Sequence, residues 1–303
     1  MTKILTLLLS IAAAVQAATQ ETTIRLDVNL VVINVTVHGK DGKIVPGLGK
    51  EAFKIVEDEV ERPISVFHGE DAPVTVGILV DNSASMKTKR SEVIAAALAF
   101  ARSSNPADEM FVIHFNERAR FGLPGTKPFT DSIPELETAL SRYAAGGSTA
   151  LYDGVGMALS HFHRAGLNRK VLIAISDGND NSSKAALSDM LRWARDSGVV
   201  FYCIGIFDDD DRDRNPTILE QFAQSTGGQA FFPASVNDAT NICLEIAREI
   251  RAQYTLGFAG AQDGKYHHIR VTARSATNEL LEVRARPGYK SAPPDARDGV
   301  LLK

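Results

Sequence analysis

The sequence predicts an α/β protein: a doubly wound, mainly parallel sheet covered by helices, with flanking β segments that form a smaller β-sandwich-like domain. Three observations carry this prediction. Between residues 74 and 252, short apolar, β-branched runs alternate with amphipathic helical patterns, as a parallel sheet buried on both faces requires. Before 72 and after 253 the pattern is strand only, punctuated by turn dipeptides. A chain of 303 residues has room for one large domain or two modest ones.

The elements follow in order. Residues 1–17 open with a short basic start at Lys3, continue through an apolar stretch of about a dozen residues, too short to span a bilayer comfortably, and end on Val15-Gln16-Ala17. This is the pattern of a secretory signal peptide cleaved after Ala17; an uncleaved N-terminal anchor is the alternative. Cleavage removes Lys3 and takes the formal charge from −4 to −5. No other apolar stretch is long enough to cross a membrane, so a secreted or periplasmic protein without a membrane span is expected.

Residues 21–72 read as β-rich, with strands over 23–38, 53–57 and 64–68 and a turn at Lys40-Asp41-Gly42-Lys43. From 73 to 252 strands are predicted over 74–80, 109–116, 170–176, 199–206 and 229–233. An edge hairpin is predicted over 119–123. Helices are predicted over 91–103, 133–143, 150–165, 187–197, 216–225 and 238–252. Ile94, Ala95, Leu98 and Ala101 share one face of the first helix, and Pro216 opens the fifth at its first turn. Residues 253–290 return to strand, at 253–257, 266–273 and 280–286, and are expected to pair with 21–72, so that the α/β unit is inserted between two halves of one β domain. Two separate β appendages are the alternative. Residues 291–303, with Pro293-Pro294, read as a mobile tail.

Three separated segments carry chemistry. The run 74–80 ends in Asp81-Asn82-Ser83-Ala84-Ser85, a buried strand handing over to oxygen-bearing side chains. Gly146-Gly147-Ser148-Thr149 precedes a helix, and the run 170–175 ends in Ser176-Asp177-Gly178. Carboxylates and hydroxyls are hard ligands, suited to Mg²⁺, Mn²⁺ or Ca²⁺. In an open α/β sheet, loops beyond the carboxyl ends of strands meet where strand order reverses.

In order and residue type these segments resemble the metal-ion-dependent adhesion site of the von Willebrand factor type A (VWA) domain, over roughly 74–252. The resemblance implies a metal set of Asp81, Ser83, Ser85, Thr149 and Asp177, with Asn82 and Ala84 in variable positions away from the ion. It also implies a VWA fold and a protein partner presenting an Asp or Glu to complete the coordination of Mg²⁺ (or Mn²⁺ or Ca²⁺). Few direct carboxylates would leave such an ion under-neutralised and receptive to an outside anion. The flanks, with Asp41-Gly42-Lys43, Tyr254-Thr255-Leu256-Gly257-Phe258 and Arg286-Pro287-Gly288-Tyr289-Lys290, resemble the exported VWA-related proteins of acidobacteria. The expected function is therefore an exported, metal-dependent protein-binding module of the adhesion type and not an enzyme. A metal-assisted phosphoester or ester hydrolase and a structural envelope component are the alternatives.

Other features read as structural. The acidic run 208–213 lacks the Gly and terminal Glu of an EF-hand loop. Asn179, Asp180 and Asn181 read first as a loop, and Asp153 as a local support. His161 and His163 are two apart, and His267 and His268 are adjacent on a strand, so neither pair presents two zinc ligands on one face. Cys203 and Cys243 read as buried free thiols, with a disulfide as the alternative. No Gly-x-Ser-x-Gly elbow and no phosphate-binding Gly-x-x-x-x-Gly-Lys-Ser/Thr loop occurs. Basic residues are scattered on a mildly acidic chain, which argues against a nucleic-acid partner.

Overall fold

A computed structural model describes residues 29–207 and 214–293. The expected leader, the acidic run 208–213 and the tail from 294 lie outside the described residues.

The α/β unit is built on a six-stranded sheet. Its strands are β5 (Val74–Asp81), β6 (Glu109–Phe115), β7 (Ala119–Phe121), β8 (Arg169–Ser176), β9 (Val200–Gly205) and β10 (Gln229–Phe231), in the order β10-β9-β8-β5-β6-β7. All neighbours run parallel except β7, which turns back on β6 as an edge hairpin. Every residue of β5 is buried, which explains why it is mostly apolar instead of alternating. The helices are α1 (Arg90–Ser103), α2 (Ile133–Ser141), α3 (Leu151–His161), α4 (Leu187–Ser197), α5 (Pro216–Thr226) and α6 (Ala239–Arg251). α1 packs against α6, and α3 against α4, which meets α5. α6 buries Ala239, Cys243, Ile246, Ala247 and Ile250, a stripe at helical spacing.

The flanking segments supply β1 (Leu30–His38), β2 (Phe53–Glu57), β3 (Val60–Arg62) and β4 (Ile64–His68) from one side of the chain. From the other come β11 (Tyr254–Ala259), β12 (Tyr266–Arg274), β13 (Leu280–Ala285) and β14 (Gly288–Lys290). They share one hydrogen-bonded path, β3-β2-β12-β13-β1-β11-β4, with β14 on β12. β1 is paired on both sides by strands from the far end of the chain, β11 and β13. The inward rows Val31, Ile33, Val35 and Val37 of β1 and Phe53 and Ile55 of β2 join Tyr254, Leu256, Phe258, Ile269 and Val271 in one apolar core. β3 and β14, three residues each, have no counterpart in the sequence expectations, because β3 falls in a charged stretch and β14 directly follows Pro287, neither of which carries a strand pattern. Ser291, placed in the tail by its composition, is buried, and its hydroxyl donates to Asp263.

Separate apolar cores fill the two units. A buried polar cluster joins them. Glu249 of α6, 1% exposed, accepts from the Tyr202 hydroxyl of β9 and pairs with Arg284 of β13. It also accepts from Thr36 Oγ1 of β1 at 3.3 Å, and His38 Nε2 lies 3.8 Å away. Gln253 donates to the Tyr202 hydroxyl at 2.9 Å and accepts from Arg169, whose guanidinium also reaches the Ile250 and Ala72 carbonyls. Burial, then the adjacent Glu249 charge, raise the Tyr202 pKa well above that of an ordinary phenol, so the hydroxyl stays a donor.

Candidate metal centre

Strand order reverses at β5, whose neighbours are β6 on one side and β8 on the other. The crevice at its carboxyl end is where an open α/β sheet collects ligands. Asp81 is the last residue of β5, and Asp177 immediately follows β8. Parallel pairing of β5 with β8, in register to Val80 and Ile175, therefore brings both residues out at the same edge of the sheet.

Four of the five candidate residues form one hydrogen-bonded chain. Asp81 Oδ1 accepts from the Ser83 backbone N–H at 2.8 Å, the two hydroxyls Ser83 Oγ and Ser85 Oγ are 3.0 Å apart, and Ser85 Oγ donates to Asp177 Oδ2 at 2.6 Å. Asp81 Oδ2 accepts from Ser176 Oγ at 2.6 Å. Asp81, Ser83, Thr149 and Asp177 are buried, while Ser85 is exposed, so the cluster opens to solvent on the Ser85 side. The loop bearing Thr149 is tied to the same place through backbone: Gly146 N–H donates to Asn82 O at 2.7 Å and Ala84 N–H to Gly147 O at 3.1 Å.

Local chemistry builds each loop. After Asp177 the chain turns at Gly178, φ +77°, where a Cβ would lie 2.3 Å from the Asn215 carbonyl oxygen, so only glycine fits without strain. Asp177 Oδ1 accepts from Asn179 N–H at 3.0 Å, closing an Asx turn. The 179–183 stretch then braces the Thr149 loop. Asn181 Oδ1 accepts from Thr149 N–H at 2.9 Å, and Thr149 O accepts from the N–H groups of Asn181 and Ser182. Asp180 Oδ2 accepts from Tyr152 N–H at 2.9 Å, satisfying a free donor at the start of α3. Asp153 takes the N–H groups of Lys184 and Ala185.

Residues beyond the five proved part of the assembly. Ser176 holds Asp81, and Asn116 holds the Thr149 loop by donating to Gly146 O and accepting from Ala150 N–H. Asn82 is 2% exposed and turns its amide inward onto His114. The Asn- and Ser-rich run 179–183 was the available signal for the brace. Nothing local marks Asn116 or His114, since both reach the site only through strand pairing.

The donor set fits a hard divalent cation. It comprises two buried carboxylates and neutral hydroxyls. Burial, then the nearby Asp177 charge, push the Asp81 pKa up to about 7 against the opposing hydrogen bonds from Ser176 and Ser83. Two carboxyl groups so placed cannot both ionise freely, and a proton or a cation between them relieves the repulsion. Among the described residues no three His, Cys, Asp or Glu side chains converge as a metal-binding group, so a nitrogen- or sulfur-rich site has no counterpart there. His161 is buried among Phe111, Phe121 and Phe129, and Cys203 and Cys243 are free, buried thiols whose pKa burial raises to about 12. No described helix is long and apolar enough to cross a membrane.

The profile of the von Willebrand factor type A domain matches residues 75–244, more than half of the chain, and the chain belongs to that family, whose members typically serve as protein-interaction modules. Among solved structures it is similar to the von Willebrand factor type A protein from Catenulispora acidiphila. That match has 15% identity and a TM-score of 0.54, covering 82% of this chain and 76% of that one. It is also similar to the vWF domain of the type V pili tip protein Mfa5 from Porphyromonas gingivalis, at 13% identity and a TM-score of 0.50, covering 59% of this chain and 95% of that one. At these identities the likeness concerns the fold. No curated protein sequence matches the chain.

Proposed function

We propose that this protein is an exported, non-catalytic binding module that uses a divalent cation to grip a carboxylate of a protein partner. Asp81, Ser83, Ser85, Thr149 and Asp177 would hold the ion, Mg²⁺ by preference or Mn²⁺ or Ca²⁺ in its place. The observation that carries the reading is the chain Asp81–Ser83–Ser85–Asp177, which links two carboxyl groups and two hydroxyls at the strand-order reversal. A cation there supplies a positive charge with a coordination position open to an outside anion. The exposed Ser85 marks the side from which that anion approaches. The leader pattern at 1–17 supports a secreted or periplasmic location.

The test is direct titration. Mn²⁺ binding is followed by electron paramagnetic resonance, and capture of immobilised peptides bearing Asp or Glu is compared with capture of Asn or Gln versions. One Mn²⁺ per chain, lost in Asp81→Ala and needed for capture of the acidic peptides, supports the proposal. Wild-type protein that takes up no Mn²⁺, or captures both peptide sets equally with and without chelator, refutes it.

A further inference from the structure

Asp81, Asn82 and Ser83 are three consecutive polar residues, each 2% exposed. Ser83 is extended, with φ −63° and ψ 169°. Side chains alternate along extended backbone, so for Asp81 and Ser83 to face one point Asn82 must face the opposite way. There it is buried, and a buried amide without partners costs free energy.

Its partners are supplied by three elements. Asn82 Nδ2 lies 2.9 Å from His114 Nδ1 on β6 and 3.4 Å from the Tyr143 carbonyl oxygen beyond α2. Asn82 Oδ1 accepts from Arg90 of α1 at 3.4 Å, and the same guanidinium caps α2 through Ser141 O at 3.0 Å. His114 Nε2 is 2.8 Å from Ala139 O. A carbonyl only accepts, so Nε2 carries the proton and Nδ1 is the bare acceptor for the Asn82 amide. That assignment also settles which way the Asn82 amide points. The backbone of the same residue donates to Phe115 O and accepts from Gly146 N–H, both at 2.7 Å, so Asn82 joins the serine loop to the Thr149 loop.

We propose that Asn82 and His114 are positioning residues that lock the serine loop in its ligand-presenting shape. They set the cation affinity of the site without touching the ion. The inference rests on the metal-binding reading above. Ser83 and Ser85 hydroxyls are weak ligands individually, and their contribution depends on being held ready together. A loop free to rotate at Asn82 would spend cation-binding energy on ordering itself.

The experiment separates this role from plain packing by using two substitutions of the same histidine. In His114→Asn the side-chain oxygen takes the place of Nδ1 and still accepts from Asn82, while the bond to Ala139 O is lost. In His114→Gln the side-chain amide reaches the Nε2 position and Ala139 O, and the acceptor for Asn82 is lost. Mn²⁺ affinity is measured for these, for Asn82→Ala and for the Asn82→Ala/His114→Gln double variant, with thermal midpoints taken in chelator as the fold readout. The expected result is a loss on the order of 10–100-fold in Asn82→Ala and His114→Gln, near wild-type affinity in His114→Asn, and a double variant no weaker than Asn82→Ala. Wild-type affinity in Asn82→Ala overturns the inference. So does His114→Asn losing as much as His114→Gln. Should His114→Gln not fold in chelator, Asn82→Ala and Asn82→Ser decide alone. A wild-type protein without Mn²⁺ binding overturns the metal reading and this inference together, whereas unchanged variants beside a binding wild type overturn only the lock.

Discussion

Glu249 joins the two units, and removing its carboxylate is the sharpest test of how they are held. In Glu249→Ala the Tyr202 hydroxyl, fully buried, loses its acceptor, and the Arg284 guanidinium, about one quarter exposed, loses its counter-charge. Thr36 Oγ1 also loses an acceptor. Breaking a buried ion pair from one side costs about 3–5 kcal/mol, most of it the desolvated charge left behind. With a urea slope near 3 kcal/mol per molar, the unfolding midpoint should fall by about 1–1.7 M. The assay is urea unfolding followed by far-UV circular dichroism and by the fluorescence of Trp193, the single tryptophan, which lies on α4. Replacing the pair together, in Glu249→Leu/Arg284→Met, should cost clearly less than the two single losses summed, since no charge is then left buried. A midpoint shift under about 0.3 M in Glu249→Ala, or strict additivity in the double variant, would refute the reasoning.

Two further outcomes are expected. His267, 8% exposed, has both ring nitrogens on carboxylates: Nδ1 is 2.6 Å from Asp58 and Nε2 is 2.8 Å from Asp263. Burial by itself lowers its pKa, but the hydrogen bonds and charges of Asp263 and Asp58 together raise it above the ordinary value. A raised folded-state pKa stabilises below the unfolded value of about 6.5 and is lost as pH rises through the folded value. The wild-type thermal midpoint should therefore fall relative to His267→Gln between acidic and mildly alkaline pH, and parallel curves would count against a stabilising His267–Asp58–Asp263 bridge. Gly178→Ala forces a side chain into φ +77° against the Asn215 carbonyl and should cost about 1–3 kcal/mol while weakening Mn²⁺ binding through Asp177, as denaturation and titration would show.

Much of this architecture is legible in the chain itself. β5 and β8 carry the apolar runs 76–80 and 171–175 because a central parallel strand meets apolar neighbours on both faces. α5 announces itself through Pro216 at the start and Gly227-Gly228 at the end. The five candidate ligands stand in local motifs whose residue types speak for hard-metal chemistry, whereas the run beside Asp177 reads as a loop and its bracing of the Thr149 loop appears only in the structure. The two three-residue strands β3 and β14 were missed, because their residues are strand only by virtue of the neighbours that pair with them. The buried state of Ser291 has no local signal either, since it depends on Asp263, 28 positions away along the chain.

Composition and short-range pattern determined the order of the longer strands and helices and the nature of the oxygen donors, because these depend on residues near one another along the chain. Tertiary structure alone decided that β1 would lie between β11 and β13, that Glu249 would face Arg284, and that His114 would hold Asn82. The physical reason is one of range. A hydroxyl or carboxylate declares its chemistry at its own position, but the partner that orients it is chosen by sheet register and helix packing, which bring Ser85 to Asp177 across 92 positions and Thr36 to Glu249 across 213.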